Sequence, residues 1–252
     1  MRKERRSGFE RGVTPIPAAF VSLLADQFQL TSSDRVLEIG CGEGYLARAL
    51  ADYVAHVDAV DERAARVARA RTLNSSSKVK YIKSRAQDFV LHGPYNLVIS
   101  LEAFHLIDDQ ATELGRLVSE LTPGGSLCVA RVEFFWEEDL FASFADVFSR
   151  FGVDWGPNAN LAVVDLKRTT ANLSAEFELE HGVRYVSVQE RLSLAQIAGY
   201  LSSISKAETL SLLSKARLRR AMLRQFRQVG PPDEVAGSSR YVAEFVRRHA
   251  GG

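Results

Sequence analysis

An apolar, β-branched run, Val36-Leu37-Glu38-Ile39, gives way without a spacer to glycines at alternate positions, Gly40, Gly42 and Gly44. Helix-forming residues, Tyr45-Leu46-Ala47-Arg48-Ala49-Leu50, follow at once. A strand, a tight turn and a helix opening are therefore packed into one short stretch. Open α/β sheets bind nucleotide-like ligands at such junctions. Glycine permits positive φ there and lets backbone N–H groups approach a ligand that a Cβ would exclude. Plain strand-to-helix connections use the same turns, so the glycines alone name no ligand. Two acids sharpen the signal: Glu38 stands two residues before Gly40, and Asp61 ends the next predicted strand.

The pattern around this junction repeats as short apolar strands between helices of ordinary length. Pro15-Ile16-Pro17 suits the start of a helix running to about residue 30. Strands are predicted at 36–39, 57–60, 79–83, 97–101 and 126–132, with helices at 45–54, 62–73 and 110–120. Such alternation argues for a parallel sheet covered on both faces. Beyond Arg131 the pattern loosens. A helix with a stripe of Phe141, Phe144, Phe148 and Phe151 is predicted over 137–151, the stripe being core-like in its spacing. One or two strands are expected around Gly182, then helices over 193–201, 207–229 and 238–248.

Composition excludes several classes. The chain has 252 residues, 46% hydrophobic and 25% charged, which fits one α/β domain with additions, two small domains remaining an alternative. A net charge of +1 gives no global drive towards nucleic acid. The basic cluster Lys215-Ala216-Arg217-Leu218-Arg219-Arg220 reads as the solvated face of an amphipathic helix, an RNA-binding strip being the alternative. No apolar run reaches the roughly 20 residues that span a bilayer. The charged start, Met1-Arg2-Lys3-Glu4-Arg5-Arg6, lacks the apolar segment of a signal peptide. Cys41 and Cys128 are too few for a disulfide framework and fit a reducing cytoplasm, and no spacing suggests a metal site.

The glycine turn resembles motif I of the class I S-adenosylmethionine-dependent methyltransferases, (V/L)-L-(D/E)-x-G-x-G-x-G. His56-Val57-Asp58-Ala59-Val60-Asp61-Glu62 resembles their motif II, and Lys83-Ser84-Arg85-Ala86-Gln87-Asp88-Phe89 stands where they read G-D-A-E-D-L. Tyr95–His105 resembles the fourth-strand motif F-D-L-V-x-S-x-x-x-L-H, and Leu121–Leu127 the turn L-x-P-G-G-x-L. Arg191–Ser205 is similar to a cap segment of the trans-aconitate methyltransferase group, with Ile204 in place of its usual Trp.

The resemblance implies a doubly wound, seven-stranded, mostly parallel Rossmann-like sheet over residues 31–190. Residues 1–30 and 191–252 are expected as helical caps, and the helices of 1–30 and about 190–229, which flank the core and carry apolar stripes, as a lid over the site. It implies S-adenosyl-L-methionine as cofactor, held by Glu38, Gly40, Cys41, Gly42, Gly44, Asp61, Glu62, Ala86, Gln87, Ser100 and Leu101. Asp61 lies 21 residues after Gly40, close to the usual offset of an acid on a ribose diol. A surface acid is the alternative for Asp61, and a helix-capping role for Glu38. Arg85 stands where the family often has an acid for adenine, so that contact falls to a backbone carbonyl, Gln87 or Asp88.

His105 is the histidine near the predicted carboxyl ends of the strands, and it serves either as a base or as pocket lining. The implied reaction is methyl transfer to a small molecule, oxygen ahead of nitrogen or carbon, with Arg131 and Arg184 as candidate carboxylate holders. A monomer or homodimer is expected in the cytoplasm, with no nucleic-acid or membrane partner. Two rivals differ in their features. Hydride transfer with a nicotinamide dinucleotide needs G-x-G-x-x-G, whereas Tyr45 occupies that third glycine's place. A cofactor-binding scaffold without methyl transfer shares motifs I and II and differs only in turnover.

Overall fold

In the computed structural model of the chain, the described residues are 16–73, 76–135, 145–153, 164–175, 177–193, 197–198, 210–229 and 234–249. In chain order the elements are α1 (Ala18–Gln27), β1 (Arg35–Ile39), α2 (Tyr45–Leu50), β2 (His56–Asp61), α3 (Ala64–Leu73), β3 (Val79–Lys83) and β4 (Tyr95–Leu101). There follow α4 (Gln110–Ser119), β5 (Leu121–Phe135), α5 (Leu166–Thr169), β6 (Leu179–Ser193), α6 (Leu212–Val229) and β7 (Glu234–Arg248). Single 3₁₀ turns lie at Phe104–Leu106 and Ala171–Ala175.

The strands form a seven-stranded sheet in the order β3-β2-β1-β4-β5-β7-β6. β1 is parallel to both β2 and β4, β2 to β3, and β4 to β5. Chain order reverses at β1, between β2 and β4, which is the switch point where open α/β sheets form a crevice. Val36, Leu37 and Ile39 of β1 are buried, as are Val57, Ala59 and Val60 of β2. Consecutive buried residues are what a strand covered on both faces requires.

β5 enters the sheet irregularly. Leu121 pairs with Tyr95 and Ser126 with Leu97, so five steps along β5 match two along β4. The surplus residues carry Pro123-Gly124-Gly125, which loops out of register. The sequence places the strand only at 126–132, because a proline and two glycines weaken a strand assignment.

The helical expectation for 238–248 is wrong: these residues lie in β7, between β5 and β6. Tyr241, Val242, Phe245 and Val246 have helical spacing, which misleads a reading of the sequence alone. Burial of Ala243 as well fills in the run and suits an interior strand. Part of the segment expected as a C-terminal helical cap is therefore sheet.

Two compact units are distinguished. One holds Ile16–Val132, Val163–Val186 and Tyr241–Gly252; the other includes Glu133–Ala162 and Ser187–Arg240. Within the first, α1 follows Pro17 and buries Phe20, Val21, Leu24 and Ala25 on one face. The Phe20 ring lies 5.0 Å from that of Tyr241, and an Arg247 Nη2 donates to the Gln27 carbonyl at 2.9 Å. Burying such a side chain contributes about 1.5–3 kcal/mol each. Within the second unit, Phe148 is buried, whereas Phe141 and Phe144 lie outside the described residues.

At the amino ends of the strands a buried carboxylate is fully used. Asp58, 1% exposed, accepts from the Arg35 guanidinium at 3.4 Å, the Tyr95 hydroxyl at 3.1 Å and pairs with His56 Nε2 at 3.0 Å. Burial, with Asp58 beside it, pushes the Tyr95 phenol up to about 12, so it stays a donor. This network locks β1, β2 and β4 together at the pole away from the glycine turn.

Candidate functional site

The glycine turn folds back over the end of β2. The N–H groups of Gly40 and Cys41 both donate to the Val60 carbonyl, at 2.8 and 2.9 Å. Gly40 has φ +75°, and a Cβ added there would lie 2.2 Å from Cβ of Ala103, so the chain after β4 passes directly against it. Gly44 is also bare for packing. A Cβ would meet the Tyr81 hydroxyl at 2.3 Å, and that hydroxyl donates to the Gly44 carbonyl at 3.1 Å. Gly42 is different. At φ +55° its Cβ would meet only Arg66 Nη1, at 3.9 Å, so one face of the turn is open.

Asp61 braces this open face. Its Oδ2 accepts from the Gly42 N–H at 2.9 Å and its Oδ1 from the Arg63 N–H at 2.8 Å. Each carboxylate oxygen keeps a second lone pair, so two hydroxyls can still be bound. Glu62, the neighbouring expected contact, is exposed.

Glu38 lies beneath the turn, 3% exposed. Its carboxyl accepts from the backbone N–H of Ala47, an otherwise free donor in the first turn of α2. The capping alternative is thus realised for that bond, yet Oε2 has no hydrogen-bond partner among the described residues. Burial, offset in part by Ala47 and reinforced by the Asp61 charge, pushes the Glu38 carboxyl up to about 8. Burial, with Glu38 and Asp61 nearby, also raises the Cys41 thiol, which remains protonated and supplies only a small side chain.

The other expected contacts come from the ends of β3 and β4. Ala86 and Gln87 follow β3, Gln87 being exposed and Ala86 half-buried. Arg116 of α4 holds this loop: Nη2 donates to the Ala86 carbonyl at 2.8 Å and Nη1 to that of Phe89 at 3.1 Å. The buried Glu113 in turn fixes Arg116, at 2.9 and 2.6 Å. At the end of β4, Ser100 is 2% exposed and its Oγ has no partner among the described residues, while Leu101 is half-buried.

His105 occupies the following 3₁₀ turn, and burial lowers its basicity. Two groups here were not foreseen. Arg116 gives no signal in the sequence. Glu102 is visible as the residue after Leu101, but its backbone is not: it sits at φ +57°, rare for a non-glycine residue. Its Oε1 accepts from the Val132 N–H at 2.8 Å, and desolvation pushes its carboxyl up to about 7. Part of its surface remains open to solvent, which limits that rise.

Of the proposed carboxylate holders, Arg131 pairs with Glu244 and Arg184 is exposed, with Nη1 on the Val183 carbonyl. Most of the cap segment 191–205, including Tyr200 and Ile204, lies outside the described residues. Among the described residues no helix is long and apolar enough to cross a membrane.

Comparison with known proteins bears on the same stretch. Residues 36–125 match a family model described as a methyltransferase domain. An uncharacterised methyltransferase of Mycobacterium tuberculosis is 37% identical over 95 residues, 37% of this chain and 48% of the relative. A ubiquinone biosynthesis O-methyltransferase of Aromatoleum aromaticum is 32% identical over 112 residues, 43% of this chain and 48% of the relative. The chain thus spans about half the length of the curated relatives it matches. A solved structure from Anabaena variabilis, assigned as a methyltransferase of an antibiotic biosynthesis pathway, superposes with TM-score 0.60 at 14% identity, covering 90% of this chain and 98% of that one. The plantazolicin methyltransferase, solved with a desmethyl analogue and S-adenosylhomocysteine, superposes with TM-score 0.53 at 14% identity, covering 98% and 88%. At these identities the structures show a shared fold. Residues 36–125 thus match a methyltransferase domain, on a fold shared with solved methyltransferases.

Proposed function

We propose that this chain uses S-adenosyl-L-methionine to methylate a small molecule, with an oxygen nucleophile favoured. The observation that carries the proposal is the buried Glu38 Oε2, without a partner among the described residues, beneath a turn that is open at Gly42 and braced by Asp61. An acid of this kind suits an ammonium, an open glycine face suits close approach of a ligand backbone, and Asp61 suits a diol. Ser100 Oγ supplies one more unused polar group at the same ends of the strands. The residues present therefore fit the cofactor. When bound, it supplies a methyl group activated by a positive sulfur.

What remains for the protein is alignment and, for a hydroxyl acceptor, proton removal. His105 suits the second task, because burial keeps it neutral and able to accept a proton near pH 7. The O-methyltransferase relatives support oxygen as the acceptor atom. A net charge of +1 favours a small acceptor over nucleic acid.

Titration calorimetry with S-adenosylhomocysteine tests the cofactor, and saturable binding is expected. A radiolabelled methyl donor offered to phenols, carboxylic acids and amines, beside tRNA, tests the acceptor class. Labelling of tRNA alone would overturn the small-molecule part.

A further inference from the structure

We propose that Glu38 is a neutral acid before the ligand arrives and gives up its proton when a cationic amino group takes the place beside Oε2. The inference rests on the cofactor reading above and adds the protonation state in which the site waits. Its basis is geometric. Glu38 is 3% exposed, Oε2 has no hydrogen-bond partner among the described residues, and the carboxyl accepts from the Ala47 N–H. A buried carboxylate anion with half its acceptors unused is costly, and a neutral acid avoids that cost. The charged neighbour that bears on it is Asp61, from β2, which opposes ionisation further. In the turn, Cys41 is a neutral thiol, and Arg66 of α3 bears on Cys41. An incoming ammonium reverses this balance by placing a positive charge against the free oxygen. Recognition is then an exchange of a proton for a cation, which disfavours ligands that lack the amino group.

The experiment is titration calorimetry of the full chain with S-adenosylhomocysteine at pH 6.5, in buffers of different ionisation enthalpy. The slope of the observed heat against buffer enthalpy gives the protons exchanged. At that pH the ligand's amino group, with a pKa of about 7.7–8.0, is already charged and contributes little. With Glu38 titrating near 8, close to one proton should be released per ligand bound. Glu38→Gln, whose amide oxygen still accepts from Ala47, should bind roughly 10–100-fold more weakly and release none. A circular dichroism spectrum matching wild type confirms that the variant is folded. Tight wild-type binding with no proton exchange would overturn the inference and leave the cofactor reading intact. An equal release from the variant would do the same. No binding of S-adenosylhomocysteine at millimolar concentration would remove both.

Discussion

Gly40 and Gly42 stand two residues apart in one turn, and replacing each by alanine should fail in different ways. At Gly40 the new Cβ would lie 2.2 Å from Cβ of Ala103, which has no flexible end to swing aside. Overpacking of that kind costs about 1–3 kcal/mol. The backbone at φ +75° adds about 1–2 kcal/mol for a residue with a Cβ. Together Gly40→Ala should lose about 2–5 kcal/mol, a large part of a typical stability of roughly 5–15 kcal/mol. With a urea dependence of about 1–3 kcal/mol per molar, the midpoint should fall by about 0.7 M or more. At Gly42 only the backbone cost applies, since the nearest atom is Arg66 Nη1 at 3.9 Å. Gly42→Ala should therefore fold, unfold within about 2 kcal/mol of wild type, and bind S-adenosylhomocysteine at least about tenfold more weakly because the open face is filled. Urea unfolding followed by fluorescence, with calorimetry on the folded variants, reads both effects. Wild-type affinity in Gly42→Ala, or an unmoved midpoint in Gly40→Ala, would refute the assignment of one glycine to ligand and the other to packing.

Three further outcomes are expected. Asp61→Ala should weaken S-adenosylhomocysteine binding by about 1.5–3 kcal/mol, roughly 10–150-fold in dissociation constant, as read by calorimetry. Asp58→Asn should lose about 1–3 kcal/mol of stability in urea, because Arg35, His56 and Tyr95 keep only a neutral partner, while affinity for S-adenosylhomocysteine stays unchanged. Glu38→Gln should gain stability over wild type in alkaline solution. The folded-state carboxyl titrates near 8, above its ordinary 4.5, so wild-type stability is full below the unfolded value, falls as pH rises from there to about 8, and then levels off. Thermal melts at pH 6 and pH 9 should show the variant's advantage growing with pH, by on the order of 3 kcal/mol between the two.

The alternation of strand and helix through β5 was legible because each element there is bounded by a local signal, a glycine turn or a capping acid. Asp109 illustrates this: its side chain accepts from the Thr112 N–H at 3.1 Å and starts α4. β7 was not legible, because Tyr241, Val242, Phe245 and Val246 satisfy a helical period and only insertion between β5 and β6 selects a strand. The acids of the site could be named from spacing, since Glu38 and Asp61 end neighbouring strands. Their states could not. That Asp61 spends both oxygens on backbone N–H groups, and Glu38 only one, follows from a turn geometry that residue identities do not encode. Arg116 was beyond reach for a related reason, as its carbonyl partners lie 27 and 30 residues away.

The two poles of the sheet treat buried polar groups in opposite ways, and this difference separates stability from binding. At the amino ends Asp58 meets a guanidinium, an imidazole and a phenol, so its charge is satisfied by the fold itself. Nothing there asks for a ligand. At the carboxyl ends Glu38 Oε2 and Ser100 Oγ are buried and unpaired among the described residues, and Glu102 is held at a strained φ of +57°. Each such feature costs about 1–3 kcal/mol, and close packing elsewhere must offset it. A sequence selected for stability alone would pair or remove these groups, as it does Asp58. Their persistence on β1 and β4, on either side of the turn at Gly40, is what a site waiting for a polar, cationic ligand requires.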